Sequence, residues 1–116
     1  MKYDLEERTT AFGEKVILFA RSIASDEITR PLIGQVVRSG TSIGANYREA
    51  NEASSKKDFR NKICITKKEA NETRHWLRLI MTAAPNKAEE SRALMNEVNE
   101  FVLIFGRIVH TLRETQ

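Results

Sequence analysis

The sequence predicts an all-α protein, an antiparallel four-helix bundle with up-down-up-down topology. Three observations support this prediction. Apolar residues recur three and four positions apart in four consecutive segments, which is the spacing of an amphipathic helix. No stretch alternates between apolar and polar residues with a period of two, so no strand is expected. Short polar breaks separate the segments, and short connections make successive helices antiparallel.

The 116 residues are expected to form one domain, residues 1–116, with helices at about 4–24, 30–53, 55–82 and 87–114. Both prolines lie outside the periodic segments and the glycines are scattered, so no flexible linker divides the chain. A chain of this length can bury one core, and association with further copies would add to its stability.

The first two helices follow from their apolar stripes and from one break. The first stripe occupies residues 5–23 and the second occupies residues 32–50. Between them, Thr29 is expected to cap the second helix, because a threonine hydroxyl can accept a hydrogen bond from a free N–H of the first turn. Pro31 then falls in that first turn, where its missing N–H costs little.

The last two helices are separated by a second break. The third stripe, residues 59–80, begins after Ser54 and Ser55, either of which can cap the helix. The fourth stripe, residues 94–112, follows a proline-containing break in which Asn86 is expected to be the cap.

Positive charge is concentrated on the third helix. The chain has a net charge of +3, but residues 55–82 alone hold eight basic and three acidic residues. At about 100° per residue, most of these cations share one side of the helix. The candidate nucleic-acid-binding residues are Lys56, Lys57, Arg60, Lys67, Arg74 and Arg78. Such a stripe is either a solvated helix face or a site for a polyanion, where it would contact phosphates without reading a base sequence.

Apolar residues outside the main stripes predict self-association. A single bundle has one interior, yet three helices carry a second apolar strip. On the second helix this strip consists of Ile33, Val37, Gly40 and Gly44. The candidate oligomer-interface residues on the other two helices are Ile65, Trp76, Leu79, Met95, Val102 and Val109. Two alternatives stay open: Trp76 also suits the edge of a wide core, and the glycines can serve close helix packing within the bundle.

Polar residues flank the apolar positions of the second and third helices. We expect a structural network, salt-bridged to lysine or arginine, made of Asn46, Glu49, Glu69 and Glu72. Paired helical carboxylates can also bind two metal ions, but that design needs Glu-x-x-His motifs. Glu72 and His75 form the only such motif, so no metal is expected.

No arrangement of residues predicts catalysis. Cys64 has no evident histidine partner, and no glycine-rich phosphate loop follows a strand. We therefore expect no catalytic residues, no cofactor and no enzymatic activity. No apolar run is long enough to span a membrane, the N-terminus is charged, and there is one cysteine, so a cytoplasmic location is expected.

One part of the sequence resembles a known family. The segments SIGANYREANEASSKKDF and KKEANETRHWLRLI are similar to bacterial four-helix-bundle proteins first described from open reading frames in intervening sequences of 23S ribosomal RNA genes. The matching residues are Ser42, Ile43, Ala45, Asn46, Glu49, Lys57, Asp58, Phe59, Glu69, Ala70, Glu72, Trp76 and Leu77.

The resemblance implies a homopentamer of four-helix bundles. A related group, the accessory variability proteins of diversity-generating retroelements, forms similar pentamers that present basic surface to nucleic acid and bind a reverse transcriptase. The leading hypothesis is therefore a non-enzymatic homo-oligomer that binds RNA or DNA through the stripe on the third helix. The alternative is an interaction scaffold or accessory subunit, for example of a reverse transcriptase, with no direct role in nucleic-acid binding. A metal-dependent enzyme is a third hypothesis.

Overall fold

The computed structural model describes residues 4–114, which form four α-helices joined by short connections. The helices are α1 (Leu5–Ser22), α2 (Thr29–Ala50), α3 (Lys56–Ala83) and α4 (Ala88–Glu114). A single 3-10 turn, Pro85–Lys87, precedes α4. Residues 4–114 contain no strand. The predicted all-α class and four-helix bundle are therefore confirmed.

Helix α3 is the centre of the packing. Each helix packs mainly on its neighbours in sequence, so α3 contacts α2 on one side and α4 on the other, whereas α1 and α4 contact each other much less. The molecule measures 48 × 23 × 20 Å. A helix of 28 residues is about 42 Å long, so α3 accounts for most of the long axis.

The core is apolar, and the hydroxyl groups buried in it are hydrogen-bonded. Phe12, Phe101 and Phe105 are among its largest fully buried side chains, and the rings of Phe12 and Phe101 meet edge to face with 5.5 Å between centroids. The few buried hydroxyls are also paired. Thr66 and Thr73 each donate to the carbonyl one turn earlier on α3, at 2.8 Å, which removes the cost of burying them.

The glycines of α2 serve contact with α1. A Cβ atom on Gly40 would lie 3.0 Å from both methyl carbons of Val16. A Cβ atom on Gly44 would lie 3.3 Å from the hydroxyl of Thr9. A Cβ atom at these distances would push its neighbours apart by a few tenths of an ångström, so glycine lets the two helix backbones approach closely. Gly40 and Gly44 of the second apolar strip on α2 thus serve the α1–α2 contact within the bundle, and Ile33 and Val37 are half-buried against the core.

The caps differ in part from those expected. Ser55 caps α3, because its hydroxyl accepts a 3.0 Å hydrogen bond from the backbone N–H of Asp58. Thr29, however, is already helical. The carboxylate of Asp26 accepts from the N–H groups of Ile28 and Thr29 at 2.8 Å, so Asp26 supplies the cap of α2. Those two backbone hydrogen bonds also lower the pKa of Asp26.

The start of α4 also differs from the expected cap. Asn86 lies inside the 3-10 turn, and α4 begins two residues later.

An ion cluster crosses the open side of the bundle between α1 and α4. The guanidinium of Arg8 makes a two-pronged contact with Glu97 at 2.8 and 2.9 Å, and it also reaches Glu100 at 2.6 Å. Its carbon lies 5.1 Å from the centroid of the Phe101 ring. The hydrogen bond from Arg8 lowers the pKa of Glu97 and raises that of Arg8 itself. The ion pairs link α1 and α4, which contact each other much less than the other neighbouring helices do.

Candidate nucleic-acid interface

Two of the cations predicted from the sequence, Lys67 and Arg74, lie against α4. The 100° spacing of a helix places Arg60 and Arg78 on the same side of α3. Lys56 and Lys57 are exposed in the first turn of α3, and Arg78 is exposed near its other end. The side chains between them are half-buried, namely those of Arg60, Lys67 and Arg74. We call this side of α3 the α4-facing flank.

Arg74 shows how a cation on this flank is held. One guanidinium nitrogen donates to the amide oxygen of Asn99 on α4 at 2.9 Å, and the other donates to the amide oxygen of Asn71 at 2.6 Å. Both acceptors are neutral. The side chain is therefore fixed in position by two hydrogen bonds while its positive charge is left uncompensated.

Carboxylates are scarce along the flank. Among the residues that the structure describes, Lys56, Lys57, Lys67, Arg74 and Arg78 take part in no ion pair. Positive charges that lie close together without counterions raise the local potential, and confinement in a groove strengthens that effect. The flank is thus electrostatically suited to an anionic ligand.

The positive surface continues from α3 onto α4. Lys67 lies over Gly106 of α4, where a Cβ atom would be 3.8 Å from the lysine Cε and Nζ atoms. Two adjoining clefts of about 410 and 490 Å³ share this pair of residues and the exposed His110. The basic residues lining them are Lys67, Lys68, Arg107 and Arg113, and no acidic residue lines either cleft. We call this region the α3–α4 groove.

Three of these residues, Lys68, Arg107 and Arg113, are missing from the sequence-based candidates. Residues 83–116 carry a slight net negative charge, which conceals the two arginines of α4. A shorter window would have found them, because residues 101–113 contain Arg107, His110 and Arg113 and no acidic residue. The antiparallel packing of α3 and α4 brings this basic segment beside the middle of α3.

The opposite side of α3, the α2-facing flank, has the reverse character. Arg38 of α2 is ion-paired with Glu69 at 3.3 Å and with the partly buried carboxylate of Glu72. Lys62 is paired with Glu49 at 3.4 Å.

Asn46 does not join these ion pairs. Its side-chain amide donates to the carbonyl of Ser42 within α2, at 2.9 Å. The carboxylates expected to form one network are therefore two separate sets of ion pairs, and the predicted link through Asn46 is absent.

Apolar side chains accompany the carboxylates on the α2-facing flank. Ile65 and Leu79 are exposed, with 42% and 36% of their surface accessible, and Trp76 between them is half-buried. The ring of Trp76 meets that of His75 edge on, and its buried indole N–H has no hydrogen-bond acceptor among the described residues. The spacing of a helix places these three predicted interface residues on one face of α3.

The three predicted interface residues of α4 lie elsewhere. Val109 belongs to the core, with 7% of its surface accessible, so its assignment to an external interface is wrong. Met95 and Val102 are half-buried against the same core, and Val102 also lines the α3–α4 groove. The reason is that α4 turns this side toward α3, which covers Val109 and leaves only the edge of Val102 accessible.

Other kinds of site find little support in residues 4–113. No group of three or more histidine, cysteine or acidic residues in this range is placed to hold a metal ion. Cys64 is half-buried at the edge of the α3–α4 groove. No helix in the described range is long and apolar enough to cross a membrane.

The fold and the groove together define a class: a small antiparallel four-helix bundle with a basic groove on one side of its third helix. Residues 2–106 match the model of the 23S rRNA-intervening sequence protein family. The chain belongs to this family.

A solved structure supports the assignment. It is that of a protein of unknown function from the S23 ribosomal protein family of Bacteroides thetaiotaomicron, which is 33% identical to the chain. The TM-score is 0.81, and the match covers 90% of this chain and 96% of the other. No curated protein is significantly similar to the chain.

Proposed function

We propose that this protein is a non-enzymatic, homo-oligomeric bundle that binds RNA or DNA through the α4-facing flank of α3. The family is named for the intervening sequences of 23S rRNA, and that name refers to no catalytic activity. The main observation in support of the proposal is that cations on this flank lack carboxylate partners. Arg74 is held by two amides, and five of the six predicted cations have no ion-pair partner among the described residues.

A protein that used these cations only for stability would pair them with carboxylates, as it does with Arg38 on the other flank. Uncompensated cations in a row repel one another, and this repulsion is relieved when a polyanion binds. Because phosphate contacts carry no base information, the proposed binding is independent of sequence and strongly dependent on salt.

Self-association is part of the proposal, with a pentamer as the expected assembly. The few cations of one chain would bind nucleic acid weakly, and a ring of chains would raise the effective concentration of the remaining sites once one is engaged. The exposed Ile65 and Leu79 support an interface on the α2-facing flank, where Arg38 already neutralises the nearby carboxylates. The interface and the binding surface would then occupy opposite sides of α3.

The proposal is tested by titrating a labelled structured RNA and a DNA of the same length at several salt concentrations. The wild-type protein should bind both, with an affinity that falls steeply as salt rises. Replacing Lys67, Arg74 and Arg78 by glutamate should weaken binding by about 100-fold or more and reduce the salt slope by about three, because each phosphate contact contributes about one.

The matched control reverses three exposed cations away from the flank, Lys15, Arg21 and Arg30, and so has the same net charge. It should retain most of the affinity. Equal loss in both variants would mean that net charge, and not the flank, is responsible. Salt-independent binding, or a protein partner that remains bound after nuclease treatment while RNA and DNA do not bind, would instead favour the accessory-subunit function.

A further inference from the structure

Gly106 forms the floor of the α3–α4 groove, and packing within the chain does not explain why this residue is glycine. Gly106 lies in the interior of α4, and no described glycine has a positive φ angle, so its backbone does not require glycine. A Cβ atom there would make only an ordinary contact with Lys67, at 3.8 Å. Glycine inside a helix is less favourable than alanine, because it loses more backbone entropy on folding. The residue therefore carries a cost without a packing benefit within the chain.

The glycines of α2 provide the contrast. Gly40 and Gly44 bring α1 and α2 together, and a Cβ at either position would force a neighbour to move. Gly40 and Gly44 allow α1 and α2 to pack closely, whereas Gly106 leaves open space between α3 and α4. The space it leaves joins the two clefts beneath Lys67 and His110. A longer side chain at this position would close the groove at its middle.

The lining of the groove is both cationic and apolar. Its cations are those of Lys67, Lys68, Arg107 and Arg113. Beside them, Leu103 is exposed over 59% of its surface, and Val102 and the imidazole ring of His110 lie next to it. A ligand that suits this lining needs negative charges along one edge and flat apolar surface along the other.

A single strand of nucleic acid has both properties, and a duplex does not. An unpaired strand exposes base faces that can stack on aromatic rings or rest on apolar side chains while its phosphates contact lysine and arginine. A duplex keeps its base faces stacked inside, so it presents mainly phosphates to a groove of this kind. It could touch the cations at the rim but would offer no base face to Leu103 and Val102.

We infer that the α3–α4 groove seats a single strand of RNA or DNA, and that Gly106 is glycine in order to keep this seat open. This inference rests on the proposed function and extends it to the strand selected and to residues on α4. Phosphates lie on Lys67, Arg107 and Arg113, and unstacked bases lie against Leu103 and the ring of His110.

The test uses Gly106→Gln, with Gly34→Gln as the matched control. Gly34 is an exposed helix glycine on α2, and a Cβ atom there would meet nothing within 4 Å. Both changes replace glycine by a better helix former, so both should raise the Tm by about 4 °C. Only Gly106→Gln fills the groove. It should weaken binding of a labelled single-stranded RNA or DNA about 10-fold, while Gly34→Gln binds like the wild type.

Binding of the same probes as duplexes separates the outcomes further. The wild type should bind the duplex more weakly than the single strand, and Gly106→Gln should change duplex binding little. Wild-type affinity in Gly106→Gln, together with loss of binding in the triple glutamate variant, would overturn the groove seat and leave the proposed function standing. Tighter binding of the duplex would overturn the strand preference, and no binding of any probe would overturn both proposals.

Discussion

The two flanks of α3 differ in whether their charged side chains are neutralised by ion pairs. On the α2-facing flank, Glu69 and Glu72 are both paired with Arg38 of the neighbouring helix. On the α4-facing flank, Arg74 is held by the amides of Asn71 and Asn99, and no carboxylate compensates its charge. The same helix therefore carries a neutralised side and a positive side, separated by about half of its circumference.

The difference indicates a division of roles. Ion pairs between neighbouring helices fix how α2 lies against α3, at a modest gain in stability because the pairs are partly exposed. Amide acceptors also fix the position of Arg74, but they leave its charge available. A groove that holds its cations in place without neutralising them is prepared to bind an anion, since less side-chain entropy is lost on binding.

The largest effect is expected for substitutions on the α2-facing flank, which is the proposed oligomer interface. Ile65→Glu combined with Leu79→Glu places two carboxylates in the proposed interface, and burying unpaired charge there costs more than such an interface gains. Light scattering should show the wild type as an oligomer and the variant as a monomer of 13.3 kDa. The variant with glutamate at Lys67, Arg74 and Arg78, which lie on the other flank, should remain an oligomer of the same size as the wild type. A wild-type monomer would remove self-association from the proposal.

A smaller effect is expected for the ion pairs of the α2-facing flank. Arg38→Ala leaves Glu69 and Glu72 without their cation, and we expect the free energy of unfolding in urea to fall by about 1–2 kcal/mol. Nucleic-acid affinity should stay unchanged. Adding Glu69→Gln and Glu72→Gln to Arg38→Ala should recover part of the stability, because no charge is then left unpaired. An unchanged unfolding energy in the single variant would show that the pairs contribute nothing.

Much of the fold could be read from the sequence because helix periodicity is a local property. The third stripe illustrates this, since Ile63, Thr66 and Leu77 are all fully buried. The cap of α3 was narrowed to Ser54 or Ser55, because a cap depends on residues only three positions apart, and Ser55 supplies it. The cap of α2 was not. Asp26 and Thr29 both favour helix starts, and only the path of the loop decides which one supplies the acceptor.

The site was harder to predict because it depends on how two helices meet. The positive flank of α3 was visible as a charge excess, but Arg107 and Arg113 join it only through the antiparallel packing of α4. The same packing covers Val109, which the helix pattern alone had placed outside the core. A helical wheel gives the direction of a side chain, and it does not say how far a neighbouring helix covers it.

The most direct test neutralises the α4-facing flank of α3 with carboxylates, as the α2-facing flank already is. Asn71→Asp combined with Asn99→Asp replaces the two amide acceptors of Arg74 by carboxylates of nearly the same shape. The Arg74 side chain should stay where it is while its charge is neutralised. We expect the nucleic-acid affinity at moderate salt to fall about 10-fold or more and the Tm to be unchanged or higher. Wild-type affinity in this doubly substituted protein would contradict this expectation, because the open charge of the flank would then have no role in binding.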